Sequence, residues 1–338
     1  MSTRARPTLR PALPLTAALA CGVLLAGCAG APAAEDRAAA GDPDLFPVEV
    51  TACGFTTTLE APPEAAVTLN QGATEVLLAL GLEDRMAGTA YLDDQVADAH
   101  AAAYDEVPVL AATYPSREEL LGASPDFVYA SYVSAFGDEV AGSQDELAEG
   151  GVASYLSPFG CPDASDVAAT SWDSVWSEVE AVGDVFGVPE RAAELRATQE
   201  QTLTDLEAAA VGAGTRVFWF DSGEDAALAG AGDGGPQLVV EATGAENVFA
   251  DVEGNWSEVP WEDVVAADPD VIALADASWS SAEEKIAFLE ADPVLSELRA
   301  VREGAYVTVP YSASTPGVRL AEGAATLAEG LEALGAQG

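Results

Sequence analysis

The sequence predicts an α/β protein made of two Rossmann-like lobes that are joined by a long bridging α-helix. Three observations lead to this prediction. The chain has 338 residues, which is enough for two domains with cores of useful size. Short apolar runs alternate with helical segments in both halves. Between the halves, residues 172–210 carry a nearly continuous helical periodicity.

The first half of the chain carries the first α/β pattern. A β segment is predicted over 47–59. A helix predicted over 74–80 ends before Gly81, because glycine readily adopts the left-handed conformation that often follows a helix. Buried strands are predicted at 66–69, 127–130 and 153–156.

The second half repeats this organisation. The helical periodicity is interrupted near Gly187-Val188-Pro189, which places the bridging helix at 188–212. Strands are predicted at 216–220, 271–275 and 305–309, and a last helix at 317–334.

The composition is strongly acidic and limits the possible functions. The chain has 57 acidic and 13 basic side chains and a formal charge of −44. Such a surface repels phosphate backbones, which excludes nucleic-acid partners. A single histidine excludes a multi-histidine metal site and any catalytic network that needs two imidazoles. We therefore expect neither a resident metal nor a cofactor. The functions that remain are solute binding and carboxylate chemistry.

The N-terminus predicts export. Three arginines within the first ten residues precede an apolar stretch over 11–27, and residues 25–28 (Leu-Ala-Gly-Cys) resemble the lipobox of bacterial lipoproteins. This pattern predicts a diacylglycerol on Cys28 that anchors the protein to the outer face of the bacterial cell membrane. An ordinary signal peptide with a chance cysteine is the alternative. The predicted division is signal peptide 1–27, lipidated cysteine and tether 28–46, first lobe 47–187, bridging helix 188–212 and second lobe 213–338.

The remaining cysteines predict a disulfide. Export leads to an oxidising compartment, where exported cysteines usually pair. Cys21 leaves with the signal peptide and Cys28 takes the lipid, which leaves Cys53 and Cys161. We expect these two to form a structural disulfide, and two unpaired thiols are the alternative.

A motif occurs once in each half. A short helix leads to Pro125 in the first half and to Pro269 in the second, and in both cases an aspartate and a buried strand follow. Glu118 and Glu262 each stand seven residues before the proline. Two lobes built on one plan, with a carboxylate at the same place, suggest a pseudo-twofold molecule.

This repeated plan resembles the substrate-binding proteins of ABC importers, in the class that carries ferric siderophores, haem and cobalamin. Residues 70–82 are similar to the family's first strand-to-helix segment, and residues 244–249 to its second-lobe Gly-Gly-Glu-Asn-Ile-Phe motif. Trp256 precedes Glu262 by six residues, where cobalamin-binding members also have a tryptophan. The resemblance extends from about residue 66 to the C-terminus.

The resemblance implies a ligand cleft between the lobes and one docking carboxylate on each lobe. Family members dock on permease arginines through such glutamates, and Glu118 and Glu262 match by their distance from the Pro-Asp pair. The alternative is that both acids merely complement a helix dipole. Candidate ligand-binding residues near strand ends are Tyr91, Tyr132, Asp221, Trp256, Trp279, Tyr311 and Arg319.

Each of these candidates has an ordinary structural alternative. An aromatic side chain also fits packing inside its own lobe. Arg319 matches an arginine beside the second-lobe cleft in cobalamin binders, where it would meet a ligand anion. It equally fits capping a carbonyl or pairing with an acid. His100 is expected at the surface, with a single axial ligand as its other possible role.

The charge also bears on the ligand. Removal of residues 1–27 removes three arginines and no acid, which takes the charge from −44 to −47. Only Arg85, Arg117 and Arg319 are plausible partners for an anionic siderophore. Neutral or cationic complexes, such as a hydroxamate chelate or a corrinoid, are therefore favoured.

The expected function is capture of an iron chelate or cobalamin-like solute and its delivery to an ABC permease dimer with its ATPase. The protein would act by binding, without turnover. One alternative is an extracellular carboxylate-dependent hydrolase of the glycosidase type, which needs two carboxylates on either side of a sugar cleft. Another is a surface receptor of the same fold with no transport role.

Overall fold

The computed structural model describes residues 43–336. The predicted signal peptide, Cys28 and most of the predicted tether lie outside the described residues. Within the described range, no helix has both the length and the apolar character needed to cross a bilayer.

The described chain alternates strands and helices. Its strands are β1 (Val48–Ala52), β2 (Phe55–Leu59), β3 (Ala66–Leu69), β4 (Met86–Ala90), β5 (Val109–Ala111), β6 (Phe127–Ala130), β7 (Ala153–Leu156), β8 (Arg216–Ser222), β9 (Ala227–Gly230), β10 (Glu246–Asn247), β11 (Trp256–Val259), β12 (Val271–Asp276) and β13 (Tyr306–Pro310). Its α-helices are α1 (Gln71–Ala79), α2 (Ala101–Tyr104), α3 (Arg117–Gly122), α4 (Gln144–Glu149), α5 (Trp172–Val185), α6 (Pro189–Ala209), α7 (Gly235–Ala242), α8 (Trp261–Ala267), α9 (Ala282–Ala291), α10 (Arg299–Glu303) and α11 (Leu320–Gly335).

The first sheet has the order β5-β4-β3-β6-β7, and all neighbouring strands are parallel. Its apolar side chains divide between two faces, with Phe127 and Tyr129 in one core cluster and Val128 and Ala130 in the other. Continuous apolar strands are the expected pattern where both faces of a parallel sheet are covered. The strand order reverses direction between β3 and β6, which is where ligands bind in open α/β sheets.

A two-stranded hairpin, β1-β2, lies beside this sheet. The Thr57 hydroxyl donates a hydrogen bond to the Ser154 carbonyl on β7 (2.6 Å). As predicted, Cys53 in the hairpin turn and Cys161 in the loop after β7 form a disulfide. The bond closes a loop over a sequence separation of 108 residues and fixes the hairpin to the sheet.

Two consecutive helices connect the sheets. Helix α5 ends before Gly187, which has a positive φ of 67°, and α6 begins with Pro189. The interruption near 187–189 is therefore confirmed, and α6 corresponds to the bridging helix predicted over 188–212. With 21 residues it is about 30 Å long. The division of the chain into lobes at 187 and 213 stays a prediction.

The second sheet has the order β11-β9-β8-β12-β13, with β10 paired to β8. Strands β8, β12 and β13 are parallel, whereas β9 is antiparallel to both of its neighbours. Trp219 and Phe218 of β8 are completely buried, and they lie in one core cluster with Ile272 of β12.

Most of the predicted elements agree with the structure. The strands at 66–69, 127–130 and 153–156 are confirmed, as is each helix that leads through Pro-Asp to a buried strand. Helix α1 begins at Gln71, three residues before the prediction. Gly72 in its first turn resembles a helix breaker, but a Cβ there would lie 3.0 Å from the Ser131 Oγ. Close packing therefore accounts for this glycine. Helix α11 begins at Leu320 instead of 317.

Candidate functional site

A cleft lies between the two sheets, where the loops after β3, β6 and β7 face the second half of the chain. It has a cavity volume of about 70 Å³ and is lined by Gln71, Asp93, Ser131, Tyr132, Glu178 and Trp256, among others. Several of these residues directly follow parallel strands of the first sheet, on both sides of its change of strand order. The sequence and the topology therefore indicate the same place for a ligand.

Gln71 organises the first-sheet side of the cleft. Its Oε1 accepts hydrogen bonds from the backbone N–H groups of Asp93 (2.8 Å) and Asp94 (2.9 Å), and its Nε2 donates to the Asp94 carboxylate. This fixes the loop after β4. Tyr91, in the same loop, has a positive φ of 62° and packs edge-on against Tyr114 at 4.7 Å between ring centroids.

Aromatic rings form the opposite side. The ring centroid of Tyr311 lies 6.2 Å from that of Trp256 and 4.9 Å from that of Trp279, which is 54% exposed. The Tyr311 hydroxyl also forms a hydrogen bond with Tyr132 of the first half, and burial raises the pKa of Tyr311. The indole Nε1 of Trp256 is buried, and no described residue accepts its proton.

The structure brings together four of the seven predicted ligand-binding residues. Tyr132 and Trp256 line the cleft, Tyr311 contacts both of them, and Trp279 packs against Tyr311. Tyr91 lies in the cleft-side loop against Tyr114. Asp221 lies at the end of β8 and is only 7% exposed. Burial raises its pKa, and its carboxylate accepts a hydrogen bond from the Ser222 hydroxyl at 3.0 Å.

Arg319 is occupied by acids, which is one of the roles foreseen for it. The side chain is only 6% exposed. Its Nη1 lies 3.3 Å from the Glu75 Oε1 and 3.5 Å from the Asp94 Oδ1, and its Nη2 lies 2.6 Å from the Glu322 Oε1. The Ser312 hydroxyl accepts from Nη1 and lies 2.7 Å from the same Asp94 oxygen. Because Glu75 and Asp94 belong to the first half, this buried network ties the two halves together.

His100 lies near this network and is half-buried, in contrast to its expected place at the surface. Burial lowers its pKa, while the nearby Glu322 carboxylate acts in the opposite direction. Within residues 43–336, no group of three or more His, Cys, Asp or Glu side chains is arranged so that it could hold a metal ion.

Glu178 is a cleft residue that the sequence reasoning missed. It lies on α5, is 4% exposed, and accepts a hydrogen bond from the Tyr129 hydroxyl at 2.7 Å. Burial raises the pKa of this carboxyl to about 7. The sequence does contain a signal, because Glu178 shares the buried face of its helix with Val175, Val179 and Val182. Asp93, also missed, lies in a polar loop without periodicity.

The two candidate docking glutamates occupy equivalent positions. Glu118 is the second residue of α3 and Glu262 is the second residue of α8, and each helix leads into a central strand of its sheet. Both are exposed, and neither carboxylate forms an ion pair or hydrogen bond with any residue in the described range. The repeated plan thus extends from the sequence to the position of the glutamate in the fold.

Comparison with known proteins agrees with this architecture. A family model described as periplasmic binding protein matches residues 67–313. The chain belongs to this family. A Bacillus subtilis (strain 168) relative, named as the uncharacterized ABC transporter substrate-binding lipoprotein YvrC, is 25% identical over 93% of this chain and 95% of its own length. The predicted family resemblance is confirmed, and the comparisons support neither the hydrolase nor the receptor alternative.

Solved structures of the periplasmic binding protein family are also similar. A periplasmic binding protein from Veillonella parvula has 29% identity and a TM-score of 0.72, with 84% of this chain and 96% of that chain covered. A structure from Saccharomonospora viridis, described as an ABC-type Fe3+-hydroxamate transport system, has 25% identity and a TM-score of 0.68, with 84% and 99% covered. A vitamin B12 binding protein of Vibrio cholerae, at 20% identity and a TM-score of 0.57 with 81% and 98% covered, shows the fold alone.

Proposed function

We propose that this protein captures a metal chelate or a corrinoid in the cleft and delivers it to the permease of an ABC importer. The observation that carries the proposal is the meeting of aromatic side chains from both halves at a cleft beside the strand-order reversal. Aromatic faces suit large, partly apolar ligands because they provide broad contact area at little entropic cost. The description of the Saccharomonospora structure as a Fe3+-hydroxamate transport system supports a chelate as the ligand. The name of the Bacillus relative, an ABC transporter substrate-binding lipoprotein, supports delivery to an importer.

The cleft is narrow for such a ligand. Its cavity volume of about 70 Å³ is far below the volume of a metal chelate or a corrinoid. Binding of a chelate therefore requires the two halves to move apart at the contact between Tyr132 and Tyr311. The buried network around Arg319 and the continuous helix α6 would limit this motion to a small hinge.

Binding in the cleft is tested by Trp256→Ala. Loss of this ring removes contact area from the cleft, so we expect at least a tenfold weaker affinity for the chelate or corrinoid that binds, measured by calorimetric titration. Trp172→Ala is the matched control, since Trp172 lies on α5 and stacks on Trp176 away from the cleft lining. Unchanged affinity in the Trp256 variant would contradict the proposed binding site.

Delivery is tested separately by reversing charge at Glu118 and Glu262. The proposed role of these carboxylates is to meet permease arginines, which bind carboxylates through paired hydrogen bonds. The double variant Glu118→Lys/Glu262→Lys should retain ligand binding and lose uptake in cells. Glu283→Lys is the control, because Glu283 is also exposed and also the second residue of its helix. Normal uptake by the double variant, or uptake lost equally in the control, would refute docking through these residues.

The proposed anchor is a lipid on Cys28. It would hold the protein at the outer face of the membrane, within reach of the permease. Cys28→Ala should move the protein from the membrane fraction to the medium or periplasm. Continued membrane association of this variant would exclude Cys28 as the anchor.

A further inference from the structure

Among the described residues, no positively charged side chain lines the cleft to balance its carboxylates. The part of the chain from 43 to 336 has nine basic residues, and none of them lines the cleft. The three that the sequence offered for an anionic ligand are all paired elsewhere. Arg85 lies 3.6 Å from Glu64, Arg117 lies 3.2 Å from Glu146, and Arg319 is enclosed by its buried network. A ligand anion would therefore meet no cationic partner there.

Asp93 lines the cleft, and its carboxylate has no partner in the part of the chain that the structure describes. Its backbone is held from both halves, since its N–H donates to the Gln71 Oε1 (2.8 Å) and its carbonyl accepts from the Ser278 N–H (3.0 Å). No group in the described chain donates to its carboxylate oxygens. The neighbouring Asp94 differs, because its carboxylate is already bound by Ser312 and Arg319. Asp93 thus has a backbone held in place and a carboxylate that lacks a donor among residues 43–336.

The aromatic side of the cleft also favours a positively charged ligand group over an anionic one. Asp93 is near enough to Tyr132 and Tyr311 to contribute to the raised pKa of both hydroxyls. The rings of Trp256 and Trp279 adjoin Tyr311. Faces of such rings attract cations through the ring quadrupole, most strongly where water is excluded. A carboxylate beside aromatic faces is therefore a suitable arrangement for an organic cation.

We propose that the ligand carries a positively charged group, such as an ammonium, and that Asp93 binds this group. The proposal rests on the proposed function and specifies its ligand. An ion pair formed in this partly closed cleft is weakly screened, whereas exposed pairs contribute little. Anionic chelates would be repelled by Asp93 and find no compensating arginine. Discrimination by charge would then come from one side chain, with the aromatic wall providing most of the contact area.

The test uses one chelate at three charges. The ferric complex of desferrioxamine B has a free terminal ammonium, its N-acetyl derivative is neutral there, and its N-succinyl derivative is anionic. We expect the ammonium form to bind at least tenfold more tightly than the acetylated form and the succinylated form to bind most weakly. Equal affinities for the ammonium and acetylated forms would overturn the proposal.

Asp93→Asn removes the negative charge of this side chain but keeps its size and shape. The variant should bind the ammonium form at least tenfold more weakly and leave affinity for the acetylated form unchanged. Asp98→Asn is the control, because Asp98 is exposed and does not line the cleft. Equal losses for both forms in the Asp93 variant would assign Asp93 a structural role and refute the proposal. Cyanocobalamin has no ammonium group. If it bound tightly and Asp93→Asn left its affinity unchanged, the proposal would also be refuted. Failure of wild-type protein to bind any of these probes would instead contradict the proposed function.

Discussion

Replacing Glu178 with glutamine should remove a stability penalty that the wild-type protein has at neutral pH. The carboxyl is buried on α5 and accepts hydrogen bonds from the hydroxyls of Tyr129 and Ser157. These bonds favour the charged form, but desolvation is the larger effect and raises the pKa from 4.5 to about 7. Between these two values the folded protein binds more protons than the unfolded chain, so stability falls as pH rises.

The size of the penalty follows from the pKa values. One pKa unit corresponds to about 1.4 kcal/mol, so the shift from 4.5 to about 7 gives a penalty of about 3 kcal/mol that is complete above pH 7. It is absent below pH 4.5. Glu75, with a pKa of about 7, and Asp93, with a pKa of about 6, act in the same direction. The contribution of Glu178 is therefore obtained only by comparing the pH dependence of stability in the wild-type protein with that in the Glu178 variant.

Urea unfolding at about pH 5 and about pH 8 measures this difference. The wild-type protein should lose roughly 2–3 kcal/mol more stability than Glu178→Gln between the two conditions. Glu194→Gln is the control, because Glu194 is exposed on α6 and no described group contacts its carboxylate. Parallel pH dependence of wild type and the Glu178 variant would refute the assignment of a protonated, buried carboxyl.

Two further predictions concern the links between segments. The chain-entropy model predicts that the double variant Cys53→Ser/Cys161→Ser lowers the free energy of unfolding by about 4–5 kcal/mol. Urea unfolding of the variant and of the oxidised wild type measures this difference. A loss below about 1 kcal/mol would contradict the prediction. Arg319→Gln should lower it by about 3–5 kcal/mol, because Glu75 and Asp94 then stay buried without their cation. Adding Glu75→Gln should restore part of this loss, and further destabilisation in the double variant would show that the ion pair is not the cause.

The sequence predicts the local elements well because their signals are local. Strands β3, β6 and β7 are short, mostly apolar runs with at most one polar residue each, as expected for parallel strands covered on both faces. The equivalent positions of Glu118 and Glu262 follow from their spacing to the Pro-Asp pairs, which the structure preserves. The pairing of Cys53 with Cys161 follows from the predicted export and the number of cysteines.

The partners of individual charged residues are not encoded in this way. Arg319 lies in a segment that predicts only the start of a helix, and its partners Glu75 and Asp94 are 244 and 225 residues away in the sequence. No periodicity relates such positions. Its role became clear only from the way the two halves pack, and the same holds for the unpaired carboxylate of Asp93. Cleft chemistry depends on long-range packing more than on motifs.

Titration of tryptophan fluorescence with ferric hydroxamates, ferric catecholates, haem and cobalamins tests capture in the cleft most directly. Trp256 lines the cleft and Trp279 packs against the neighbouring Tyr311, so an occupying chelate or corrinoid should quench tryptophan emission. We predict saturable quenching by a hydroxamate or a corrinoid and a clear reduction of that signal in Trp256→Ala. An unchanged spectrum with all four classes would contradict the proposed capture of these ligands.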